Sequence, residues 1–120
     1  MQRYGCVVAG PWHTHVDADE WEPMELEGAI VGEVHSLRSD EGGETYEAGF
    51  WRVLGELPEP FHYDFECNET IHVIEGEVVI AVDGGPTLEL GPGDVASFAS
   101  GSSATWRIAR TPFKELFVLS

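Results

Sequence analysis

The chain has 120 residues, of which 42% are hydrophobic and 11% aromatic, which is enough for the core of one globular domain. Its formal charge of −16 excludes nucleic acid and anionic membrane surfaces as partners, because phosphate groups would be repelled.

Cysteine and lysine are both scarce. Cys6 and Cys67 form no C-x-x-C pair and are too few for a disulfide framework, which favours reduced thiols in the cytoplasm. The apolar run near the N-terminus is too short for a signal peptide, and no stretch reaches the length of a membrane span. We therefore expect a cytoplasmic protein with no membrane partner. Lys114, the only lysine, is expected to be a surface charge.

Residues 1–27 are predicted to form an N-terminal arm ahead of a single domain at residues 28–120. Residues 7–9 could form a short strand. The acidic segment 17–27 has no helical period and is interrupted by Pro23, so we expect an arm or loop, which could pack on a neighbouring subunit. Within the arm, His13 and His15 form an H-x-H pair that could share a metal, with a surface or interface pair as the alternative.

From residue 28 the pattern is all-β, with eight or nine short strands separated by glycine and proline turns. The segments 69–74 and 77–82 are expected to form a hairpin around Gly76. Strands this short must bury one face against another sheet or close on themselves, which predicts a sandwich or barrel. The predicted strands are 29–37, 45–54, an extended aromatic-rich segment from 61 that leads into 69–74, then 77–82, 87–90, 95–99, 103–109 and 113–119.

One predicted strand, residues 78–82, is apolar on both faces. A single-layer barrel would leave one of these faces in water. A second subunit could cover it, so we predict a homodimer.

Two glycine-bounded motifs carry a resemblance to a known family. The pattern G-x5-H-x-H-x3,4-E-x6-G is matched after its first glycine by His62, Asp64, Glu69 and Gly76, with Asp64 replacing the second histidine. The pattern G-x5-P-x-G-x2-H-x3-N is matched only at its glycines, and Ala104 stands at the histidine position. The chain resembles the cupins, which implies a double-stranded β-helix, the jelly-roll barrel, with Glu69 facing inward.

Four short segments narrow the resemblance. Residues 48–51 (AGFW), 69–76 (ETIHVIEG), 91–94 (GPGD) and 104–106 (ATW) are similar to the small single-domain cupins related to ureidoglycine aminohydrolase and the ethanolamine-utilisation cupin. The resemblance covers about residues 28–119. It implies the fold more strongly than the function, because many members of this branch have no assigned activity.

The resemblance and strand alternation together predict a pocket inside the barrel. Residues two apart on a strand share a face, so an inward Glu69 brings Ile71 and Val73 inward too. His62 and Asp64 project together and are also expected to point inward. A mostly aromatic cavity with a few polar groups is typical of a small-molecule site. The predicted pocket residues are Trp51, Phe61, His62, Tyr63, Asp64, Glu69, Ala104 and Trp106.

The polar residues of this pocket could also form a metal site. One imidazole and two carboxylates, from His62, Asp64 and Glu69, could hold Mn, Fe, Ni or Zn with open positions for substrate. Ala104 removes the fourth ligand that the resemblance implies. The structural alternative is that Glu69 pairs with an arginine or with His62, and a close carboxylate pair could act as a metal-free acid and base.

The sequence is therefore compatible with three functions. The first is binding of a small-molecule ligand near Glu69. The second is a metal-dependent enzyme of the aminohydrolase, isomerase or dioxygenase type that uses His62, Asp64 and Glu69. The third is a structural or regulatory homodimer whose interior is filled by its own side chains.

Overall fold

A computed structural model of the chain describes residues 10–40 and 46–120, and these form eight strands. The predicted strand at residues 7–9 and Cys6 lie outside the described residues. No helix long and apolar enough to cross a membrane occurs in the described ranges. The strands are β1 (Glu22–Leu26), β2 (Ala29–Asp40), β3 (Tyr46–Val53), β4 (Phe61–Asp64), β5 (Glu69–Val82), β6 (Thr87–Leu90), β7 (Val95–Phe98) and β8 (Ser103–Leu119).

Two long strands, β5 and β8, hold the fold together. Glu69 pairs with Leu119 at one end and Val82 with Ala104 at the other, so the strands run antiparallel along their whole length. The half that contains Glu69 is flanked by β3 and β7, and the other half is flanked by β4 and β6. The halves form two facing layers, with β2 and β1 extending the first. The predicted all-β jelly-roll barrel is confirmed.

The predicted hairpin around Gly76 is wrong, because residues 69–82 form one strand. The register against β8 shifts between Val73 and Val78, which marks an irregular, bulged stretch. Gly76 has a φ of 80°, and a Cβ there would lie 2.5 Å from the carbonyl oxygen of Pro112. β8 likewise runs through residues 110–112, where two strands were expected. Bending at these points lets each strand serve both layers.

The prediction that residues 17–27 form a loop is wrong for its last part. Glu22–Leu26 is strand β1, which pairs antiparallel with β2. Glu27 and Gly28 make the connecting turn, both with positive φ of 52° and 83°. The boundary expected between residues 27 and 28 therefore falls inside a β hairpin.

The described part of the arm, residues 10–21, packs on the outer face of its own domain. Lys114 is only 8% exposed there and donates to the carbonyl oxygen of Val16 at 2.9 Å. Its Nζ lies 5.9 Å from the ring centroid of Trp21, and the guanidinium of Arg52 lies 3.8 Å from the same ring. The expectation that Lys114 is a surface charge is therefore wrong, because the arm covers it.

Candidate functional site

A cavity of about 300 Å³ lies between the two layers. Strands β1, β2 and β3 line it from one side, β4 and the first half of β8 from the other, and β5 and the second half of β8 close it. Its volume is at the small end of the range of about 300–1,000 Å³ that small-molecule sites occupy. The lining is mostly apolar, with ionisable groups from glutamates and one tyrosine.

Three aromatic rings form one wall of the cavity. Phe61 stacks on Trp106 with ring centroids 6.1 Å apart, and Trp51 meets both rings edge-on at 6.1 and 6.0 Å. The Trp51 indole donates to the carbonyl oxygen of Val31 at 2.9 Å, which fixes the ring. Trp51 and Trp106 are 4% and 3% exposed. Each of the three rings therefore packs against the other two.

The pairing of β4 with β8 decides which β4 side chains enter the cavity. Phe61 lies opposite Trp106, and Tyr63 lies opposite Ala104. Directly paired residues point to the same face of a sheet. Because Trp106 and Ala104 are buried, Phe61 and Tyr63 must point inward with them.

Glu69 is the polar centre of the cavity. It is 6% exposed and accepts a hydrogen bond of 2.9 Å from the hydroxyl of Tyr63. Burial and, to a smaller extent, the nearby Glu47 carboxylate raise the pKa of Glu69 to about 6, against the opposing effect of the Tyr63 hydrogen bond. Burial and Glu69 together raise the pKa of Tyr63 above its usual value, so the phenol stays a donor.

Glu115 is a second carboxyl group in the lining and is 2% exposed. Its Oε1 has no hydrogen-bond partner among the described residues, and neither has the indole Nε1 of Trp106. Burial, reinforced by the charge of Glu69, holds the pKa of Glu115 well above its usual value. A buried polar atom without a hydrogen-bond partner destabilises a folded protein, so a hydrogen-bond partner for each of these two atoms would stabilise it.

No lysine, arginine or histidine is among the described residues that line the cavity. The four glutamates of the lining come from four different strands. Glu47 and Glu69 both pair with Leu119, one from each side of β8. The cavity therefore concentrates carboxyl groups without a cation to balance them. The four are Glu25, Glu47, Glu69 and Glu115.

Most of the predicted pocket residues do line the cavity. They are Trp51, Phe61, Tyr63, Glu69 and Trp106. Ala104 belongs to the buried core cluster at 0% exposure but does not line the cavity. The inward direction expected for Ile71 and Val73 also agrees with the structure, in which both are fully buried.

The expectation that His62 and Asp64 point inward is wrong. Both side chains lie on the outer face of β4, where they are 50% and 72% exposed. His62 hydrogen-bonds to Asp83 at 3.0 Å, an interaction that raises the pKa of the imidazole, and Asp64 accepts a hydrogen bond from Ser103. His62 and Asp64 share a face of β4 as predicted, but it is the outer face, because Phe61 and Tyr63 lie on the inner one.

The trio proposed for a metal is therefore not brought together. His62 and Asp64 lie on the opposite face of β4 from the cavity that contains Glu69. Within residues 10–40 and 46–120, no three histidine, cysteine, aspartate or glutamate side chains converge closely enough to hold a metal ion. The cavity offers carboxyl and phenol oxygens to a metal ion but no imidazole nitrogen from the described lining residues.

Several residues that line the cavity were not predicted from the sequence. Glu115 lies two residues from both Phe113 and Phe117, so its position among inward apolar residues was a signal for a buried carboxyl. Glu47 lies two residues before Gly49 and four before Trp51, so it shares a strand face with both. The β1 residues of the lining, Met24, Glu25 and Leu26, had no such signal, because β1 was not predicted. Val34 lies on the predicted strand 29–37, but it was not assigned to the pocket.

The remaining histidines lie away from the cavity. His35 contacts Thr14 at 2.8 Å and the carbonyl oxygen of Glu20 at 2.7 Å, so it helps to dock the arm. His13 and His15 are exposed, and the ring of His15 accepts a hydrogen bond from the backbone of Asp17. A metal shared by His13 and His15 stays a prediction.

Comparison with known proteins identifies relatives of this fold. Residues 45–116 match the family model of the EutQ-like cupin domain. No protein with a curated description matches the sequence significantly.

Solved structures agree with this result. The EutQ protein of Clostridium difficile superposes with a TM-score of 0.61 at 17% identity, over 81% of this chain and 74% of that one. A putative ethanolamine utilization protein Q from Salmonella typhimurium gives 0.57 at 21% identity, over 83% and 93%. The Fe(II) enzyme HppE gives 0.65 at 14% identity, over 89% of this chain but only 58% of HppE. At these identities the likeness shows the fold alone.

Proposed function

The chain belongs to the EutQ-like cupin domain family, and we propose that it binds a small molecule inside the barrel cavity beside Glu69. The observation that carries this proposal is a carboxyl group only 6% exposed in a cavity of about 300 Å³ with aromatic walls. A purely structural interior would be filled with apolar side chains, because a buried carboxyl without a charged partner destabilises the fold.

The arrangement supplies what a binding site needs. The rings of Trp51, Phe61 and Trp106 offer flat apolar surface, and Glu69, Glu115 and the Trp106 indole offer polar groups that fix an orientation. The Tyr63 hydrogen bond holds the Glu69 carboxyl in one position before a ligand arrives. Such preorganisation reduces the entropy lost on binding.

A thermal-shift screen of small metabolites tests the proposal. We expect at least one compound to raise the Tm of the native chain and to lose this effect with Glu69→Gln. Glu77→Gln is the matched control, since Glu77 lies on the same strand but is exposed. Each variant is compared with and without compound, so that its own change in stability cancels.

The proposal fails if every stabilising compound acts equally on the native chain and on Glu69→Gln. That outcome would locate binding outside the cavity and favour the structural role for the buried carboxyl groups.

Metal-dependent catalysis is the alternative raised by the fold, since HppE is an Fe(II) protein. The donors found in the cavity do not favour it. Elemental analysis of the purified chain, with and without added Mn, Fe, Ni and Zn, decides the matter. We expect no stoichiometric metal that depends on Glu69.

Association of two copies and a cytoplasmic location complete the proposal. On β5, Val79 and Ala81 lie half-buried on the outer face, which a second copy could cover. Light scattering after size exclusion should give twice the 13.2 kDa of one chain, and Val79→Glu should lower this mass. A measured mass equal to that of one chain at every concentration would contradict the proposed homodimer.

A further inference from the structure

The acidic side chains of the cavity have no basic side chain to balance them among the described lining residues. Glu69 and Glu115 are 6% and 2% exposed, and Glu47 is half-buried beside them. Among the described residues that line the cavity there is no lysine, arginine or histidine. The nearest arginine on β3, Arg52, points to the other face and pairs with Glu33 at 2.9 Å. An anionic ligand would be repelled by this arrangement.

The aromatic wall adds to the same preference. The faces of aromatic rings carry partial negative charge and attract organic cations, Trp most strongly. Here the stacked Phe61 and Trp106 and the perpendicular Trp51 stand around the space into which Glu69 and Glu115 project. Rings at right angles, combined with carboxyl groups, are the features by which proteins recognise ammonium groups.

A third observation is the unsatisfied Oε1 of Glu115. It is buried and has no hydrogen-bond partner among the described residues. A bare metal ion would need three or more converging donors, and the described side chains offer no such group. An organic cation needs only one or two carboxylates together with the ring faces.

We infer that the ligand of this cavity is a small organic cation, a primary to quaternary amine. Its charged head lies between the carboxyl groups of Glu69 and Glu115 and the faces of Trp51 and Trp106. This inference rests on the proposed function and specifies its ligand class. The volume of about 300 Å³ limits the ligand to a small amine.

Binding of a cation must also release protons. Glu69 is surrounded by Tyr63 on β4, Glu47 on β3, Glu115 on β8 and Glu25 on β1, all of them acids. A positive charge among them favours their ionised forms and lowers their pKa values. A neutral ligand has no such effect, so proton release distinguishes the two classes.

The test uses three probes of one shape and different charge. Choline is positive, 3,3-dimethylbutan-1-ol is its neutral carbon isostere, and 3,3-dimethylbutanoate is negative. Isothermal titration of the native chain should give choline the tightest binding, with the alcohol about tenfold weaker or more, and the acid should not bind. Repeating the choline titration in buffers of different ionisation enthalpy should reveal proton release.

Two isosteric variants provide the matched comparison. Glu69→Gln and Glu115→Gln should each weaken choline binding by about tenfold and leave binding of the alcohol unchanged. Glu77→Gln, on the outer face of β5, should change neither. Methylammonium and tetramethylammonium are titrated beside choline, so that the size of one probe does not decide the result.

The inference is overturned if the neutral alcohol binds in a Glu69-dependent manner as tightly as choline. The proposed function would then stand with a different ligand class. It is also overturned if no ammonium ion of the series binds at tens of millimolar. In that case the proposed function is judged separately, by the neutral and anionic compounds of the thermal-shift screen.

Discussion

At the scale of single residues, Glu69 shows how burial and one hydrogen bond set the state of a carboxyl group. Its desolvation favours the protonated form, and the Tyr63 hydroxyl opposes this by donating to Oε1. Desolvation is the larger effect, and the pKa lies at about 6. The side chain can therefore change its charge close to neutral pH.

This pKa makes stability depend on pH. Between 4.5, the usual pKa, and about 6, the folded chain holds a proton on Glu69 that the unfolded chain has released, so unfolding becomes easier as pH rises. Glu69→Gln lacks this titration. Its free energy of unfolding relative to the native chain should therefore rise by about 2 kcal/mol across this window. Urea unfolding at a series of pH values measures the difference.

The quantity to compare is the difference in free energy of unfolding between Glu69→Gln and the native chain, because the contributions of the many exposed carboxylates cancel in it. Glu77→Gln, which removes an exposed carboxylate from the same strand, is the control variant. Parallel curves for Glu69→Gln and the native chain would show that Glu69 titrates normally and would contradict the burial argument.

The pattern of residues in the sequence predicted the apolar residues of the cavity wall more accurately than the polar groups of the cavity. Trp51 and Trp106 follow from alternation, because a large ring on an amphipathic strand is buried. His62 and Asp64 alternate with Phe61 and Tyr63, and apolar burial decides which pair faces inward. The motif predicted that His62 and Asp64 point into the barrel. The register of β4 against β8 places Phe61 and Tyr63 there instead.

At the scale of secondary-structure elements, the long strands β5 and β8 determine the architecture. Each bends once and contributes to both layers, so the cavity lies inside the bend. The sequence predicted two shorter strands for each of them, because a glycine or proline after an apolar run usually ends a strand. Long-range pairing keeps both strands continuous here, and local signals do not contain that information.

Gly76 should be sensitive to substitution because it needs both a positive φ and the absence of a Cβ. A Cβ would lie 2.5 Å from the Pro112 oxygen and 2.7 Å from the Arg110 oxygen. We expect Gly76→Ala to destabilise the fold by about 3 kcal/mol or more. Gly84 has a similar φ of 71° but nothing within 4 Å, so Gly84→Ala should cost only about 1 kcal/mol.

Chemical denaturation of the two variants measures this difference. Equal losses would mean that the backbone conformation alone matters and that the strands can separate at Gly76 without cost. That result would contradict the close approach of β5 to residues 110–112.

At the scale of the whole molecule, the formal charge of −16 dominates. Composition alone predicted the exclusion of anionic partners, whereas the carboxyl groups inside the barrel needed the structure to be located. Repulsion among the surface charges opposes the compact state. The jelly roll has to be stable in spite of this, through its apolar core and its sheet hydrogen bonds.

Salt should therefore stabilise the chain. Raising the ionic strength from low to physiological shortens the screening length from about 30 Å to about 8 Å. We expect the Tm to rise by several degrees, which corresponds to roughly 1 kcal/mol for a domain of this size. Differential scanning calorimetry in NaCl measures it. A Tm that is constant or falls over this range would show that surface repulsion is unimportant.

The central claim is that a small cationic ligand enters the cavity between the carboxyl groups and the aromatic wall. The chain has four tryptophans, of which Trp51 and Trp106 line the cavity and Trp12 and Trp21 do not. The indole signals of a ¹⁵N-labelled chain, titrated with choline, test the claim most directly. We predict saturable shifts of the Trp51 and Trp106 signals, which need about tenfold more choline in Glu69→Gln, with Trp12 and Trp21 unmoved. Shifts confined to Trp12 and Trp21, or no shifts at all, would contradict it.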